Sequence, residues 1–267
     1  MRLEYARFLL GWRDDPDAAI AEATAALNVT PGRNPLDALA LAQYVKWDQL
    51  RESDPARARQ YLESARLHFP DQASVIRSAV GGLGKSSALQ HLVLTLVAEG
   101  ASLDARAADG YTPLLCAITC DAPESVGWLL DHGAGVDVRQ AYDQSTPLVW
   151  ASAKNDIPSL VLLARRGANI NAANRAGRTA LWFAAYNGNE AMVKTLLELD
   201  AAVDQAGEDR NTPLIQAAQS GLTPIVRLLL DAGADPSIRS ATQDAEGYAK
   251  ASGHVATAML IRSRMKK

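Results

Sequence analysis

Between Thr112 and Asp235 the apolar residues fall into paired blocks, one short and rich in alanine, the next carrying larger aliphatic side chains. Ala117, Ala151, Ala184 and Ala217 occupy one position of the small-residue block. The large-residue block holds Val126, Leu129 and Leu130, then Leu160, Val161, Leu162 and Leu163, then Met192, Val193, Leu196 and Leu197, then Ile225, Val226, Leu228, Leu229 and Leu230. This spacing predicts amphipathic helices in pairs, with the alanines letting neighbours approach and the larger residues filling the joints. Polar segments, DGYTP, DQSTP, AGRTA and DRNTP, precede each pair. Each supplies a turn, a threonine able to cap free helix amides, and a proline or alanine that fits a first helical turn. The capping threonines, Thr112, Thr146, Thr179 and Thr212, are separated by 34, 33 and 33 residues. A fixed period of this size means one supersecondary unit stacked on copies of itself, because a single unit cannot bury its own apolar face.

The units read TPLLCAI, TPLVWAS, TALWFAA and TPLIQAA, and close on Gly133-Ala134, Gly167-Ala168, Ala201-Ala202 and Gly233-Ala234. In this they resemble ankyrin repeats, whose pattern is a β-turn and two antiparallel helices with the signature T-P-L-H-x-A. Leu115, Val149, Trp182 and Ile215 stand where the signature has histidine, so apolar packing replaces a polar hydrogen-bonding side chain. The glycine after the second helix is placed to take the left-handed conformation that ends it. Asp200 replaces that glycine in the third unit, and aspartate tolerates the conformation better than most residues. From Asp244 the segment DAEGYAKASGH, with Ala249, Gly253 and His254, resembles a further first helix. Thr257, Leu260 and Ile261 continue its partner, and Arg262, Arg264, Lys266 and Lys267 give a cationic helix end that suits the dipole of a capping unit. The expected fold is all-α, an ankyrin-repeat solenoid over 71–267 with a separate N-terminal helical hairpin region over 1–70.

In that N-terminal region DPDAAIAEATAALNVTP from Asp15 aligns with DPARARQYLESARLHFP from Asp54 at an offset of 39, and Tyr5 with Tyr44. Aspartate and proline open both segments as helix starts do. PGRNPLDALALAQYVKWDQL from Pro31 lies between them and becomes apolar at helical spacing through Leu36, Leu39, Ala40 and Tyr44, so two helix pairs are expected. Ala58, Ala65 and the terminal Pro70 resemble tetratricopeptide helices, although that family's full tryptophan, leucine, glycine and tyrosine set is absent; the competing reading is an unclassified helical cap on the first repeat.

At the join, AVGGLGKSSALQHLV from Ala79 resembles a phosphate-binding loop in Gly84, Lys85 and Ser86. Such a loop leaves a strand and enters a helix whose amides receive phosphate. Ala79 stands at the motif's first glycine, and the repeats begin too soon for a sheet. The expectation is instead a degenerate repeat: first helix from Ser74 to Val80, an enlarged loop GGLGKSS, and second helix from Ser87 to Ala98, with Lys85 toward solvent and no nucleotide bound.

Composition narrows the function. The formal net charge of -3, with both signs spread along the chain, gives no broad footprint for nucleic acid. No apolar run reaches membrane-spanning length, and charge interrupts the N-terminal MRLEYARFLLGWRDD where a signal peptide needs an apolar core, so a cytoplasmic location is expected. Cys116 and Cys120 lie four apart on one helix, a geometry that disfavours a mutual disulfide, and two thiols alone do not make a zinc site. His254 has no evident metal partners. Asp109, Asp143 and Asp209 recur with the turns and form no acid-base pair. A non-enzymatic protein without cofactor or metal follows.

The ankyrin resemblance implies a concave binding surface lined by turn tips and the exposed side of the first helices. Its residues here are Tyr111, Tyr142, Asp143, Lys154, Arg175, Arg178, Tyr186, Asn187, Glu208, Asp209 and Gln219. Tyrosine and arginine are common interface anchors. Trp150, Trp182 and Phe183 are either internal spacers or, if exposed, an apolar extension of that surface. The expected role is recognition of one partner protein; the alternatives are an inhibitor or immunity-like protein masking an enzyme, and a structural regulatory scaffold.

Overall fold

The computed structural model describes residues 16–29, 33–67, 69, 71–107 and 110–265. Tyr5, Asp15, Pro31, Pro70, Asp109, Lys266 and Lys267 lie outside them. The described chain is all-α, its one β feature being an isolated antiparallel bridge between Arg239 and Asp244. It divides into two compact units after Gly135.

In the first unit, α1 (Pro16–Val29), α2 (Arg33–Leu50) and α3 (Pro55–Arg66) precede α4 (Gln72–Ala79) and α5 (Ser87–Ala98). Among the described residues the N-terminal region therefore holds three helices, α2 packing against both α1 and α3. Asp54 caps α3 by accepting from the Arg57 amide at 3.1 Å. Pro55 follows it in the first turn, as the Asp-Pro pattern predicts. Tyr44 on α2 is buried, and its hydroxyl donates to the Phe69 carbonyl at 2.7 Å; burial raises its pKa.

The segment that resembles a phosphate loop is a connection between two helices. No strand precedes it: α4 runs into a 3-10 turn over Val80–Gly82 and then α5. Ser86, the residue a magnesium ion would need, is buried and caps α5 by accepting from the Leu89 amide at 3.2 Å. Gly84 lies against α7 (Pro123–Asp131), its amide donating to Ser125 Oγ at 3.1 Å. A Cβ there would sit 2.2 Å from Glu124 Cβ, so glycine is required by close approach. Lys85 is half-exposed, 3.7 Å from the Glu124 carboxylate. The first full repeat completes the unit with α6 (Pro113–Thr119) and α7.

The second unit contains α8 (Pro147–Ala153) and α9 (Ile157–Arg165), α10 (Ala180–Asn187) and α11 (Glu190–Glu198), α12 (Pro213–Gln219) and α13 (Thr223–Asp231), and α14 (Ala245–Ala251) and α15 (Val255–Met265). The first helices stack in order, α8 on α10, α10 on α12 and α12 on α14. With only seven or eight residues each, they are too short to persist alone in water and are held by this stacking. Thr146, Thr179 and Thr212 are buried caps whose Oγ1 accepts from the amide three residues on, at 3.4, 3.3 and 3.2 Å. Asp244 does the same for α14 from Gly247 at 2.8 Å.

Of the expected large side chains, Leu160, Leu163, Met192, Val193, Leu196, Ile225, Val226, Leu229 and Leu230 are buried. Each such leucine contributes about 1.5–3 kcal/mol relative to exposure. The left-handed helix ends appear as expected: Gly167 and Gly233 have φ of 83° and 91°, and Asp200 takes 59°. His254 packs its ring over Gly221, where a Cβ would meet Nδ1 at 2.5 Å, which is the packing role its position implies.

Candidate functional site

Ten of the eleven expected contact residues belong to the second unit and fall in two rows. The turn tips carry Tyr142 and Asp143, then Arg175 and Arg178, then Glu208 and Asp209; the ends of the first helices carry Lys154, then Tyr186 and Asn187, then Gln219. Tyr111, half-buried, belongs to the first unit.

The tips are joined by backbone. The Arg175 amide donates to the Asp143 carbonyl at 2.7 Å, and the Glu208 amide to the Ala176 carbonyl at 3.0 Å. The latter approach is so close that a Cβ on Gly177 would lie 2.8 Å from Gly207 Cα. Arg139 spans two tips, its Nη1 donating to the carbonyls of Gln144 at 2.8 Å and Ala173 at 2.6 Å. The tips thus form a fixed row, which lowers the ordering cost of any contact made along it.

Several of the polar candidates are occupied by this local architecture. Asp143 accepts from the Ser145 amide at 3.0 Å and from its hydroxyl at 2.7 Å. Asp209 accepts from the Asn211 amide at 3.0 Å. Asn187 is a stitch between repeats: its Nδ2 donates to the Ser152 and Ala153 carbonyls at 3.3 and 3.0 Å and to Asn155 Oδ1 at 3.3 Å. Lys154, Arg175, Glu208 and Gln219 are exposed.

The aromatic residues are different. Tyr142 is 62% exposed and Tyr186 57% exposed, two of the most exposed large apolar side chains among the described residues. Tyr186 stacks on Trp182 with centroids 5.3 Å apart and planes 12° from parallel. The Arg178 guanidinium carbon lies 4.2 Å from the centroid of the same indole, and Phe183 meets it edge-on at 5.2 Å. Trp182 is only 3% exposed, so it is an internal spacer; Trp150 and Phe183 are half-buried. The indole thereby anchors two side chains that reach the surface. Cation–π contact contributes about 0.5–2 kcal/mol and stacking roughly 0.5–1.5 kcal/mol beyond area burial. Arg178 also faces Asp209 at 4.0 Å, an exposed pair of small net value.

Sequence reasoning named Tyr186, Arg178 and Trp182 separately and missed their contact. The signal was present for Trp182 and Tyr186, whose spacing of four places them on one side of α10; Arg178 lies before that helix, ahead of its Thr179 cap. It also missed a set of loop acceptors that tie each repeat to the next. Asp104, Asp137, Asn171 and Asp204 accept from the amides of Gly135, Asn169, Ala202 and Asp235, at 2.7, 3.1, 2.7 and 3.1 Å. Burial raises the Asp204 pKa, partly offset by this bond.

Helix pairs with a threonine-capped first helix, a left-handed stop after the second and repeat-to-repeat stitches define a stacked helical-repeat scaffold. A family model described as "Ankyrin repeats (3 copies)" matches residues 79–174 and 148–240. The chain belongs to the ankyrin-repeat family. It is 32% identical over 199 residues to ankyrin repeat and SOCS box protein 16 of Mus musculus, across 68% of this chain and 43% of that protein. It is 42% identical over 114 residues to the nuclear factor NF-kappa-B p105 subunit of Mus musculus, across 42% of this chain and 11% of that protein. It is 34% identical over 151 residues to neurogenic locus notch homolog protein 4 of Homo sapiens, across 51% and 8%. The chain thus spans less than half the length of each. The recurring polar residues act as caps and stitches of a repeat scaffold. Among the described residues no helix is long and apolar enough to cross a membrane, and no three His, Cys, Asp or Glu are grouped to hold a metal ion.

Proposed function

We propose that the chain is a protein-interaction module that binds one partner protein along the turn tips and exposed first-helix ends of residues 136–267. The observation that supports this reading is the pair of exposed tyrosines, Tyr142 and Tyr186, set on a rigid row beside Arg178. Tyrosine brings large contact area with few rotatable bonds and a hydroxyl, and arginine adds a planar fork of donors. Tyr186 and Arg178 are already held by Trp182, so little side-chain freedom is lost when a partner covers them. Asp143 and Asn187 support the row from within, while Lys154, Arg175, Glu208, Asp209 and Gln219 form a mixed-charge rim around the tyrosines. Tyr111, in the first unit, is a separate candidate contact.

The test is a binding isotherm with a partner isolated by native pull-down. Simultaneous Tyr142→Ala, Arg178→Ala and Tyr186→Ala replacement is expected to weaken binding at least about a hundredfold, given roughly 1–2 kcal/mol or more for each anchor. Normal binding by a triple variant with an unchanged circular dichroism spectrum refutes the assignment, and makes the helices before residue 70 the better candidate surface.

A further inference from the structure

Arg178 carries an unused set of donors in the row of turn tips. Its guanidinium carbon lies 4.2 Å from the centroid of the Trp182 indole, and that stacking fixes the plane of the group. None of its side-chain nitrogens donates a hydrogen bond to a described residue. Nε is buried, whereas Nη1 and Nη2 reach solvent and the side chain as a whole is 39% exposed. Asp209 brings its carboxylate only to 4.0 Å from Nη2, beyond hydrogen-bond reach, and accepts instead from the Asn211 amide at 3.0 Å. Arg139, one tip earlier, is the contrast: its Nη1 donates to the Gln144 and Ala173 carbonyls and serves the scaffold. The charges around Arg178 are also unbalanced. The tips of the third and fourth units carry Arg175, Arg178 and Arg210 against Glu208 and Asp209, one positive charge in excess within a chain of formal net charge -3.

We infer that Arg178 is a specificity determinant of the interaction face, receiving a side-chain carboxylate, an aspartate or glutamate of the partner, end-on through Nη1 and Nη2; the inference rests on the binding face proposed above. A carboxylate matches the planar fork of a guanidinium with two parallel hydrogen bonds. Its single negative charge cancels the excess at the tips. A phosphate, with close to two charges, would leave them net negative beside Glu208 and Asp209. A neutral carbonyl would leave the excess uncompensated. The stacking on Trp182 orders the guanidinium before a partner arrives, so less side-chain freedom is lost on binding. Among the described residues Arg178 is the one arginine of these tips set over a ring, which favours it over the exposed Arg175 and Arg210.

The experiment selects a phage-displayed library of random peptides on the immobilised full chain. A selected peptide is then titrated by calorimetry into wild type, Arg178→Ala, Arg178→Lys and Asp209→Asn, with circular dichroism checking that each is folded. The binders are expected to share an aspartate or glutamate. Replacing that residue with its amide should weaken binding to wild type about ten- to a hundredfold, the range of a charge-assisted hydrogen-bonded pair, and should leave binding to Arg178→Ala almost unchanged. Arg178→Lys should recover only part of the loss, because an ammonium lacks the fork. Asp209→Asn should tighten binding by removing a competing carboxylate. An amide replacement that costs as much in Arg178→Ala as in wild type would overturn the carboxylate assignment. So would binders that share no acidic residue yet weaken on Tyr142→Ala and Tyr186→Ala, a result that leaves the interaction face in place. Binders indifferent to replacement of Tyr142, Arg178 and Tyr186 alike would overturn the face and the inference together.

Discussion

Asp200 offers a sharp test of how each repeat ends. It has φ 59°, where Gly133, Gly167 and Gly233 have 91°, 83° and 91°. An L-residue in this conformation costs about 1–2 kcal/mol, with aspartate near the lower end. Replacing Asp200 with glycine removes that strain but frees the unfolded chain, at a cost of about 0.4–1 kcal/mol. The net expectation is a gain of about 0.5 kcal/mol. The reverse change, Gly167→Asp, should lose a similar amount, because a Cβ at Gly167 meets no atom within 4 Å and the strain is purely of the backbone. Urea denaturation at constant m-value measures both. The two variants should lie on opposite sides of wild type, separated by about 1 kcal/mol, or roughly 2–4 °C in melting temperature. A lower midpoint for Asp200→Gly would refute the reasoning, and would mean that the Asp200 side chain makes a stabilising interaction worth more than its strain.

Gly84→Ala should cost about 1–3 kcal/mol by forcing Glu124 away, read as a fall in calorimetric midpoint. Asn187→Ala should cost about 1–2 kcal/mol, and Asn187→Asp more, because a carboxylate cannot donate to the Ser152 and Ala153 carbonyls; urea midpoints rank the three proteins. The hydrogen bond from Lys250, followed by that from Arg262, depresses the Glu246 pKa. Its folded value therefore lies below its unfolded one, and its stabilisation is present above the ordinary carboxylate range and lost as pH falls through the depressed value. Glu246→Gln should flatten that acid limb of a stability-versus-pH curve. Calorimetry with magnesium and ATP or GTP should show no saturable binding, leaving Lys85→Ala without effect; micromolar binding of one nucleotide, lost in that variant, would contradict the loop assignment.

The repeats were legible because their local chemistry is complete in short words of sequence. A threonine before a proline and a glycine after an aliphatic helix each act on atoms only a few residues away, so Thr146, Gly167 and even the exceptional Asp200 could be placed without coordinates. That the segment around Gly84 joins two helices was legible for the same reason. The stitches were not: Asp137 and Asp204 accept from amides 32 and 31 residues later, and nothing local distinguishes them from solvated turn acids. At the candidate site the exposed tyrosines could be picked out by position in the repeat. That Asn187 would bond to the preceding repeat, and Arg178 to the face of Trp182, depended on contacts beyond the local word.

Hydroxyl-radical footprinting of the chain free and saturated with its partner tests the proposed binding face most directly. Tyr142 and Tyr186, 62% and 57% exposed in the free chain, should both lose most of their reactivity in the complex, while the exposed Met259 on α15 keeps its own. Full reactivity of both tyrosines in a saturated complex, with protection elsewhere on the chain, would contradict the account.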